Sequence, residues 1–224
     1  MQSCPTFASE FGAMQCLEKS DLSDDTKKHL THVVEHDEAE CWMMVEPVGE
    51  RVATNKWTPE MFLDLYRVLH EVHTKAKLVH RDIRPSNIMQ FNGRVLLIDW
   101  DCAVPVGADV EFSGGLQYAT DRILGMVPYE TYTASTTDDM ESFVKTFFVC
   151  TAMHLQGRAI DCNRLHSGDP KKLLDEWKQI QKEEPSFRTF LFLLRQYPQD
   201  LEVSLERHVA AFKEQEPEDM IERE

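Results

Sequence analysis

The stretch HRDIRPSN, at residues 80–87, decides the fold together with the tripeptide DWD at residues 99–101. Between them, two short apolar runs (88–91 and 95–98) flank Asn92-Gly93. Asn-Gly between two such runs is the strongest short-range signal for a β-hairpin with a two-residue loop. The sequence therefore predicts a polar loop, a tight hairpin and a second, acidic loop in close succession.

Helical periodicity dominates the chain on both sides of this stretch. Thr58 and Pro59 supply an N-cap and a first helical position for the helix that leads into residues 80–87. The apolar residues that repeat along one face of each predicted helix are Phe7, Phe11, Met14 and Leu17; Met61, Leu65, Val68, Leu69 and Val72; Met140, Phe143, Phe147 and Val149; and Leu173, Leu174, Trp177 and Ile180. A compact apolar run at 41–45 predicts a buried strand. Helices with a small hairpin in the middle indicate an α+β fold.

Composition excludes several classes of protein. The chain has 224 residues and a formal charge of −15, which disfavours nucleic acid as a partner because no local basic stripe offsets it. The longest apolar stretch, 143–153, contains Lys145 and is too short to cross a bilayer, so no membrane association is expected. The first residues lack the pattern of a secretory signal, and the six cysteines form no C-x-x-C pair. We therefore expect a cytoplasmic, or at least intracellular, protein.

Residues 80–87 and 99–101 resemble the catalytic loop and the metal-binding segment of the protein kinase fold, H-R-D-x-x-x-x-N followed by D-F-G. This resemblance to Ser/Thr-type kinases implies an α+β protein kinase-like fold with a mostly helical large lobe. It also implies ATP and Mg²⁺ as cofactors and a protein as the phosphate acceptor. The residues around Asp82 and Asp99 are similar to those of fungal-type kinases and of crinkler-type effector kinases.

The resemblance assigns roles to individual residues. Asp82 would accept the proton of the acceptor hydroxyl, and Arg84 stands where most such kinases place a Lys that reaches the transferred phosphate. Asn87 and Asp99 would each hold magnesium, with the hairpin bringing both to one edge of the cleft. Asp139, at the start of a helix that resembles the central helix of the large lobe, would anchor the catalytic-loop backbone.

A second segment, 42–49, resembles the strand and hinge that join the two kinase lobes. There the carbonyl of Glu46 and the N–H of Val48 would face adenine, and Met89 would line the same nucleotide site. The resemblance divides the chain into a partial small lobe (1–45), a hinge (46–50), a large lobe (51–212) and a charged tail (213–224).

The chain also departs from the kinase pattern. No glycine-rich strand pair precedes the hinge, and none of the three lysines there lies in a Val-Ala-x-Lys context. We therefore expect a truncated small lobe, in which Glu10 or Glu18 would correspond to the glutamate that normally pairs with that lysine; the distance to the hinge favours Glu10. Gly115 replaces a Thr and Arg122 replaces a Glu in the segment after DWD, so the usual ion pair of the large lobe is expected to be lost. Catalysis by this chain alone is expected to be weak or absent.

Two other functions stay open at this point. Aminoglycoside and choline kinases share H-x-D-x-x-x-x-N, so a small-molecule phosphotransferase is one alternative. A catalytically inactive pseudokinase that serves as a binding module is the other. The Arg81 between His80 and Asp82 favours the protein kinase branch.

Three histidines outside this region form a pattern of their own. His29, His32 and His36 recur at steps of 3 and 4, so a helix would place them on one face. A zinc site and a solvated helix face are both compatible with this spacing. We favour the solvated face, because no thiolate ligand lies nearby in the sequence.

Overall fold

The computed structural model describes residues 5–53, 56–126, 130–156, 162–196 and 199–215. The helices of this described part are α1 (Pro5–Lys19), α2 (Asp24–Lys27), α3 (Pro59–Glu71), α4 (Asp121–Leu124), α5 (Thr136–Gln156), α6 (Pro170–Glu183), α7 (Pro185–Gln196) and α8 (Gln199–Gln215). Its strands are β1 (His32–Asp37), β2 (Trp42–Glu46), β3 (Glu50–Arg51), β4 (Leu78–Val79), β5 (Ile88–Phe91), β6 (Arg94–Leu97), β7 (Val104–Pro105), β8 (Asp109–Val110) and β9 (Tyr132–Thr133). The charged tail predicted for 213–224 lies mostly outside the described residues.

Helix α3 begins as the sequence predicts. The hydroxyl of Thr58 accepts the backbone N–H of Met61 at 3.4 Å, and Pro59 occupies the first helical position, where no N–H is needed. Its apolar face is buried against α5 and α8. Phe62, fully buried, meets Phe147 of α5 edge to face at 5.1 Å between ring centroids. A turn of π-helix at 72–76 then ends at Lys77, whose φ of 55° directs the chain into β4.

The helical core extends from α5 to α8. Helix α5 starts two residues before the predicted Asp138, and its Phe143, Phe147 and Phe148 are completely buried. Trp177 of α6 and Phe187 of α7 pack together at 5.5 Å between ring centroids. None of the helices described above combines the length and the apolar character needed to span a bilayer.

The predicted hairpin is confirmed. Strands β5 and β6 pair in antiparallel register from Ile88 opposite Leu97 to Phe91 opposite Arg94. Asn92 and Gly93 have φ values of 50° and 76°, as a type I′ turn requires at both central positions. Strand β3 adds to the free edge of β5, which places the chain just after 46–49 against this sheet.

A helix through the three histidines was the wrong prediction. Residues 32–37 form β1, which pairs with β2 through a turn in which Asp37 Oδ1 accepts the N–H groups of Ala39 and Glu40. Two consecutive valines, Val33 and Val34, favour a strand, and the matching partner lies only a turn away. The spacing of 3 and 4 was therefore coincidental.

Two of the three histidines pack against other parts of the chain. His29 is buried, with Nδ1 2.8 Å from the carbonyl of Val95, and its neighbour Leu30 bridges to Leu97 of the hairpin. The ring of His36 packs on Phe11 of α1 at 4.4 Å between centroids. The solvated helix face is thus wrong, and within the described residues no group of three or more His, Cys, Asp or Glu side chains is arranged to hold a metal.

The prediction of a buried strand at 41–45 is half right, because β2 is a strand but is not buried. Only Met43 and Val45 pack against the core, whereas Trp42 and Met44 are 43% and 45% exposed. The expectation of one small hairpin is also too simple, because β4 pairs with β7 and β8 with β9 in two further two-stranded sheets. Strands of only two residues carry no periodicity that a sequence pattern could show.

Candidate active site

The backbone of the loop at 80–82 is held by one buried carboxylate. Asp139 Oδ2 accepts the N–H of His80 and Oδ1 that of Arg81, each at 2.7 Å, as the sequence predicted. His73 Nε2 lies 2.8 Å from the same Oδ2. Burial raises the pKa of Asp139, but the hydrogen bond and charge of His73 outweigh it, so this pKa lies below its usual value. The loop is therefore anchored to the start of α5 by an ionised side chain.

His80 and Arg81 tie this loop to the segment that follows the hairpin. His80 Nδ1 accepts the N–H of Asp82, so its Nε2 carries the proton and donates to the carbonyl of Ile98 at 3.0 Å. Arg81 has a φ of 69°, and its guanidinium donates to the carbonyls of Cys102 and Glu111. Both ends of the acidic segment 99–101 are thereby fixed relative to Asp82.

The carboxylate of Asp82, the predicted base, is almost enclosed. Oδ1 accepts the backbone N–H of Gly115 at 2.6 Å, and Oδ2 accepts Asn87 Nδ2 at 2.8 Å. Arg84 Nε lies 2.9 Å from Oδ2 without the alignment of a hydrogen bond, so this contact is electrostatic. Asp82 is only 6% exposed. The structure thus brings together Asp82, Arg84 and Asn87, the three predicted catalytic residues.

Two glycines permit the close approach over Asp82. A Cβ on Gly114 would lie 2.7 Å from the carbonyl oxygen of Arg81, and its φ of 118° disfavours any other residue. A Cβ on Gly115 would lie 3.1 Å from Asp82 Oδ1. In the sequence, Gly115 was notable only because it replaces the Thr of the kinase pattern. The structure shows that its N–H is a direct partner of Asp82, the predicted base.

Asn87 and Asp99, the predicted metal ligands, stand at one end of the hairpin. The carbonyl of Asn87 accepts the N–H of Ile98 at 3.0 Å, one residue before Asp99. Asn87 is 3% exposed, and its Nδ2 donates to both the carbonyl and the carboxylate of Asp82. Its Oδ1 receives the hydroxyl of Ser86 at 3.2 Å. Asp99 adopts a φ of 68°, which turns the chain as it leaves β6.

Helix α1 docks on this acidic segment. Ser9 Oγ donates to the carbonyl of Asp101 at 2.7 Å. Burial first, and then the charge of Asp101, raise the pKa of Asp99. Burial, followed by the charges of Asp99 and Asp101, likewise raises the pKa of Glu10. Glu10 rather than Glu18 faces the site, as predicted, since Glu18 accepts the N–H of Val33 instead.

This excess of negative charge fits a divalent cation. Carboxylate and amide oxygens are the ligands that Mg²⁺ prefers, and Asp99 and Asn87 supply one of each at the same end of the hairpin. A cation there would relieve the repulsion between Asp99, Asp101 and Glu10.

The predicted nucleotide contacts are less closely assembled. Met89 packs against Gly49, where an added Cβ would lie 2.7 Å from Met89 Cβ. Glu46 ends β2 and Val48, 77% exposed, follows it toward Gly49. Glu46 and Met89 therefore belong to two different sheets, and the side chain of Val48 between them in the proposed hinge faces solvent.

Known kinases resemble this chain in sequence or in structure. No model of a known protein family matches it. A protein of Dictyostelium discoideum named as a probable serine/threonine-protein kinase is 24% identical over 125 residues, which cover 52% of this chain but only 20% of that protein. Vaccinia related kinase 3 matches in structure with a TM-score of 0.62 and 13% identity, over 91% of this chain and 77% of that one. Kinase PK-1 of Cydia pomonella granulovirus matches with a TM-score of 0.53 and 14% identity, over 75% of this chain and 64% of that one.

The chain has a protein kinase-like fold. This confirms the α+β class predicted from residues 80–101, and the sequence likeness to a Ser/Thr kinase agrees with it. The chain spans about a fifth of its Dictyostelium relative and about two thirds of the viral kinase chain. The fungal-type and crinkler-type assignments stay predictions.

The sequence did not predict the ion-pair network around Lys145. Lys145, which interrupts an apolar stretch in sequence, is fully buried and donates to the carbonyl of Ala119 at 2.6 Å and to Asp121 at 3.1 Å. Its Nζ also lies 3.4 Å from Glu141. The i,i+4 spacing of Glu141 and Lys145 was the one signal that could have indicated it.

The same network replaces the ion pair that was expected to be lost. Asp121, one residue before Arg122, lies 3.3 Å from Arg195, which also contacts Glu141 at 2.9 Å. Arg122 instead pairs with Asp138 at 2.5 Å. Burial raises the pKa of Asp121, but the charge of Lys145 outweighs it and the net shift is downward. The segment after Gly115 is thus fastened to α5 and α7 by a different carboxylate.

Proposed function

We propose that the chain is a protein kinase-like phosphotransferase that uses ATP and Mg²⁺ to phosphorylate Ser or Thr hydroxyls of a protein. The observation that carries this proposal is the cluster of Asp82, Arg84 and Asn87 on a loop whose backbone is anchored by Asp139. Phosphoryl transfer consists mostly of positioning and charge neutralisation, so a rigidly held carboxylate next to a guanidinium is the arrangement it requires.

Each of the three residues has a distinct part in this proposal. Asp82 would accept the proton of the incoming hydroxyl, since its carboxylate is held by Asn87 and faces Gly115. Arg84, whose side chain is 39% exposed, can turn from Asp82 toward the negative charge of the transferred phosphate. Asn87 orients Asp82 through Nδ2, and its Oδ1, which accepts the hydroxyl of Ser86, keeps a second lone pair for a cation.

Asp99 and Asn87 would hold magnesium, which supplies charge neutralisation on the phosphates. Glu46, Val48 and Met89 would hold the base of the nucleotide, by the backbone of the proposed hinge (46–50) and by one apolar contact. The partial small lobe (1–45) then contributes Glu10 near the cation, while the large lobe (51–212) carries the rest of the site.

A binding module without catalysis is the second candidate, and one contact favours it. The N–H of Gly115 occupies Asp82 Oδ1 at 2.6 Å, the position that an acceptor hydroxyl would need. Transfer then requires this hydrogen bond to be displaced, which costs about 1.5–3 kcal/mol for a charged acceptor. A small penalty of this kind slows catalysis, whereas nucleotide binding through Asp99 is unaffected.

Calorimetric titration with ATP, with and without magnesium, tests the nucleotide site. We expect weak binding that depends on magnesium and that Asp99→Asn abolishes. Asp175→Asn on α6 is the matched control, because Asp175 is exposed and its substitution removes the same charge. Unchanged affinity in Asp99→Asn would contradict the proposal. No magnesium-dependent binding in the parent chain would leave only the binding module, with another ligand.

The class of acceptor needs a separate measurement. Release of ADP is followed with a panel of Ser- and Thr-containing peptides and, in parallel, with alcohols and amino sugars. We expect turnover with peptides only, and its loss in Asp82→Asn. Turnover with the small molecules alone would establish the other kind of phosphotransferase. ATP binding without any turnover would establish the binding module.

A further inference from the structure

Strand β2 has one partner and one free edge. In the part of the chain that the structure describes, it pairs with β1 and with no second strand. Alternate residues of an antiparallel strand point their N–H and C=O groups away from the partner, so the outer edge of β2 presents a row of backbone donors and acceptors. Natural edge strands are commonly protected by Lys, Pro or a bulge. Residues 42–46 contain no Lys or Pro, and the bulge of this hairpin lies on β1, between Val33 and Glu35. The edge is therefore open to another strand.

The side chains on the outer face of this hairpin form two columns. Trp42 and Met44 are exposed and stand on β2, at the free edge, whereas the alternate residues of β2 pack against the core. Across the pair, Asp37 lies opposite Trp42, and Glu35 lies opposite Met44. An apolar column at the edge is thus backed by an acidic column one strand further in.

The surrounding sequence strengthens the negative charge of this face. Residues 29–50 contain no Lys or Arg but six acidic residues, which are Glu35, Asp37, Glu38, Glu40, Glu46 and Glu50. A second copy of the chain paired through β2 would bring two such hairpins together, and their like charges oppose self-association. The charge of the face is complementary to a strand that carries Lys or Arg.

The spacing of a sheet shows how such a strand would fit. Neighbouring strands lie about 4.8 Å apart, so the outward side chains of an added strand would lie beside Trp42 and Met44. The aliphatic stems of Lys or Arg can cover these two apolar side chains while the charged ends stay in water, toward Asp37 and Glu35. A cation over the ring of Trp42 adds a further attraction. The alternate positions of the added strand would point to the core side of β2 and would be apolar.

We propose that the free edge of β2 binds, by strand addition, an extended segment of a partner protein in which Lys or Arg alternates with apolar residues. Main-chain hydrogen bonds to the edge supply affinity, and the apolar and acidic columns select a strand with a basic face. The contact is confined to residues 42–45, which include none of the residues assigned to phosphotransfer or to the nucleotide. The proposal therefore does not depend on the proposed function.

A synthetic peptide tests both the charge and the backbone of the partner. The probe is an acetylated and amidated heptapeptide of alternating Lys and Val, titrated calorimetrically into the whole chain at constant ionic strength. We expect saturable binding of one peptide, and at least about fivefold weaker binding of an isomer with its four Lys and three Val in separate blocks, because its lysines cannot share one face. Equal affinity for the two isomers, or for a peptide of alternating Glu and Val, would overturn the proposal.

Hydrogen exchange tests the strand pairing itself. On binding, the backbone amides of alternate residues within 42–45 should exchange more slowly, because the added strand accepts their N–H groups. A peptide held by charge alone would leave this exchange unchanged, and that result would overturn strand addition.

Two variants locate the binding on β2. Met44→Lys places a positive charge on the free edge, as natural edge strands do, and should abolish peptide binding. Trp42→Ser removes the exposed ring and should weaken binding by about threefold to tenfold. Val203→Ser on α8, where the side chain is 45% exposed, is the matched control and should leave the affinity unchanged. The circular dichroism spectrum should stay the same in all three. Binding that survives in both Met44→Lys and Trp42→Ser would contradict the proposal.

Two further measurements address the acidic column and the other possible occupant. Glu35→Gln should weaken the peptide by about twofold, whereas Asp175→Asn, which removes an exposed charge on α6, should not. Sedimentation of the chain without peptide should show a monomer. A dimer that Met44→Lys dissociates would assign the edge to a second copy and overturn the proposal.

Discussion

Replacing Gly115 by Ala is the sharpest test of how Asp82 is enclosed. The φ and ψ of Gly115 are −79° and 124°, which any residue adopts, so the substitution strains no backbone angle. The new methyl group would lie 3.1 Å from Asp82 Oδ1 and 3.3 Å from Arg84 Nη1. Arg84 can move, but Asp82 is held by Asn87. We therefore expect the backbone at 115 to retreat from Asp82 and its 2.6 Å hydrogen bond to lengthen.

The magnitude follows from the nature of this bond. A hydrogen bond to a charged group contributes about 1.5–3 kcal/mol, and partial loss should cost about 1 kcal/mol. Exchange of the amide proton at 115, measured by NMR, should become faster by about fivefold to tenfold. The free energy of unfolding, measured in urea, should also fall by about 1 kcal/mol.

A double-mutant cycle separates this bond from general disturbance. With Asp82→Asn as the second change, the two effects should be non-additive by about 1 kcal/mol, because both alter one contact. Gly114→Ala is the contrasting variant. Its φ of 118° and the 2.7 Å contact with a backbone oxygen leave no room for relief, so it should destabilise the chain more strongly. Unchanged amide exchange in Gly115→Ala would refute the reasoning.

Three further predictions concern charges around the site. Lys145→Met should lower the free energy of unfolding by about 3 kcal/mol, measured in urea, because it leaves the partly buried carboxylate of Asp121 without its main, fully buried partner. Glu10→Gln should raise the melting temperature at pH 8 but not at pH 4: the folded pKa of Glu10 is raised, so its contribution to stability is lost as the pH rises through that value. Asp139 has a lowered pKa and contributes in the opposite sense, so stability should fall as the pH drops through its folded value, and Asp139→Asn should flatten this acid limb.

Local signals explain the parts of the fold that the sequence predicted. The cap at Thr58 and the proline after it define the start of α3, and Asn92-Gly93 defines the hairpin, because in each case the residues act on their own backbone. Asp139 could be predicted from the kinase-like pattern, since its partners are backbone N–H groups at fixed places in that loop.

Contacts between distant segments explain the failures. Strand β1 was predicted as a helix because its histidine spacing fits a helix. Its actual structure depends on pairing with β2, and the spacing of residues within β1 carries no information about that partner strand. The N–H of Gly115 has no side chain to mark it, yet it meets Asp82 from 33 residues away. Lys145 seemed to interrupt a core helix, but its charge is matched by residues outside its own helix as well as within it.

The docking of α1 has a consequence for the order of folding. The β5–β6 hairpin closes over two residues and should form within about 10 μs, so Asn87 and Asp99 are neighbours early. The bond from Ser9 to Asp101 spans 92 residues, and such a loop is closed late because its entropy cost comes before its contacts form. Glu10 then joins two other carboxylates only in the last steps. We therefore expect the acidic cleft to be the slowest part of the chain to assemble and the first to open, and magnesium to slow that opening.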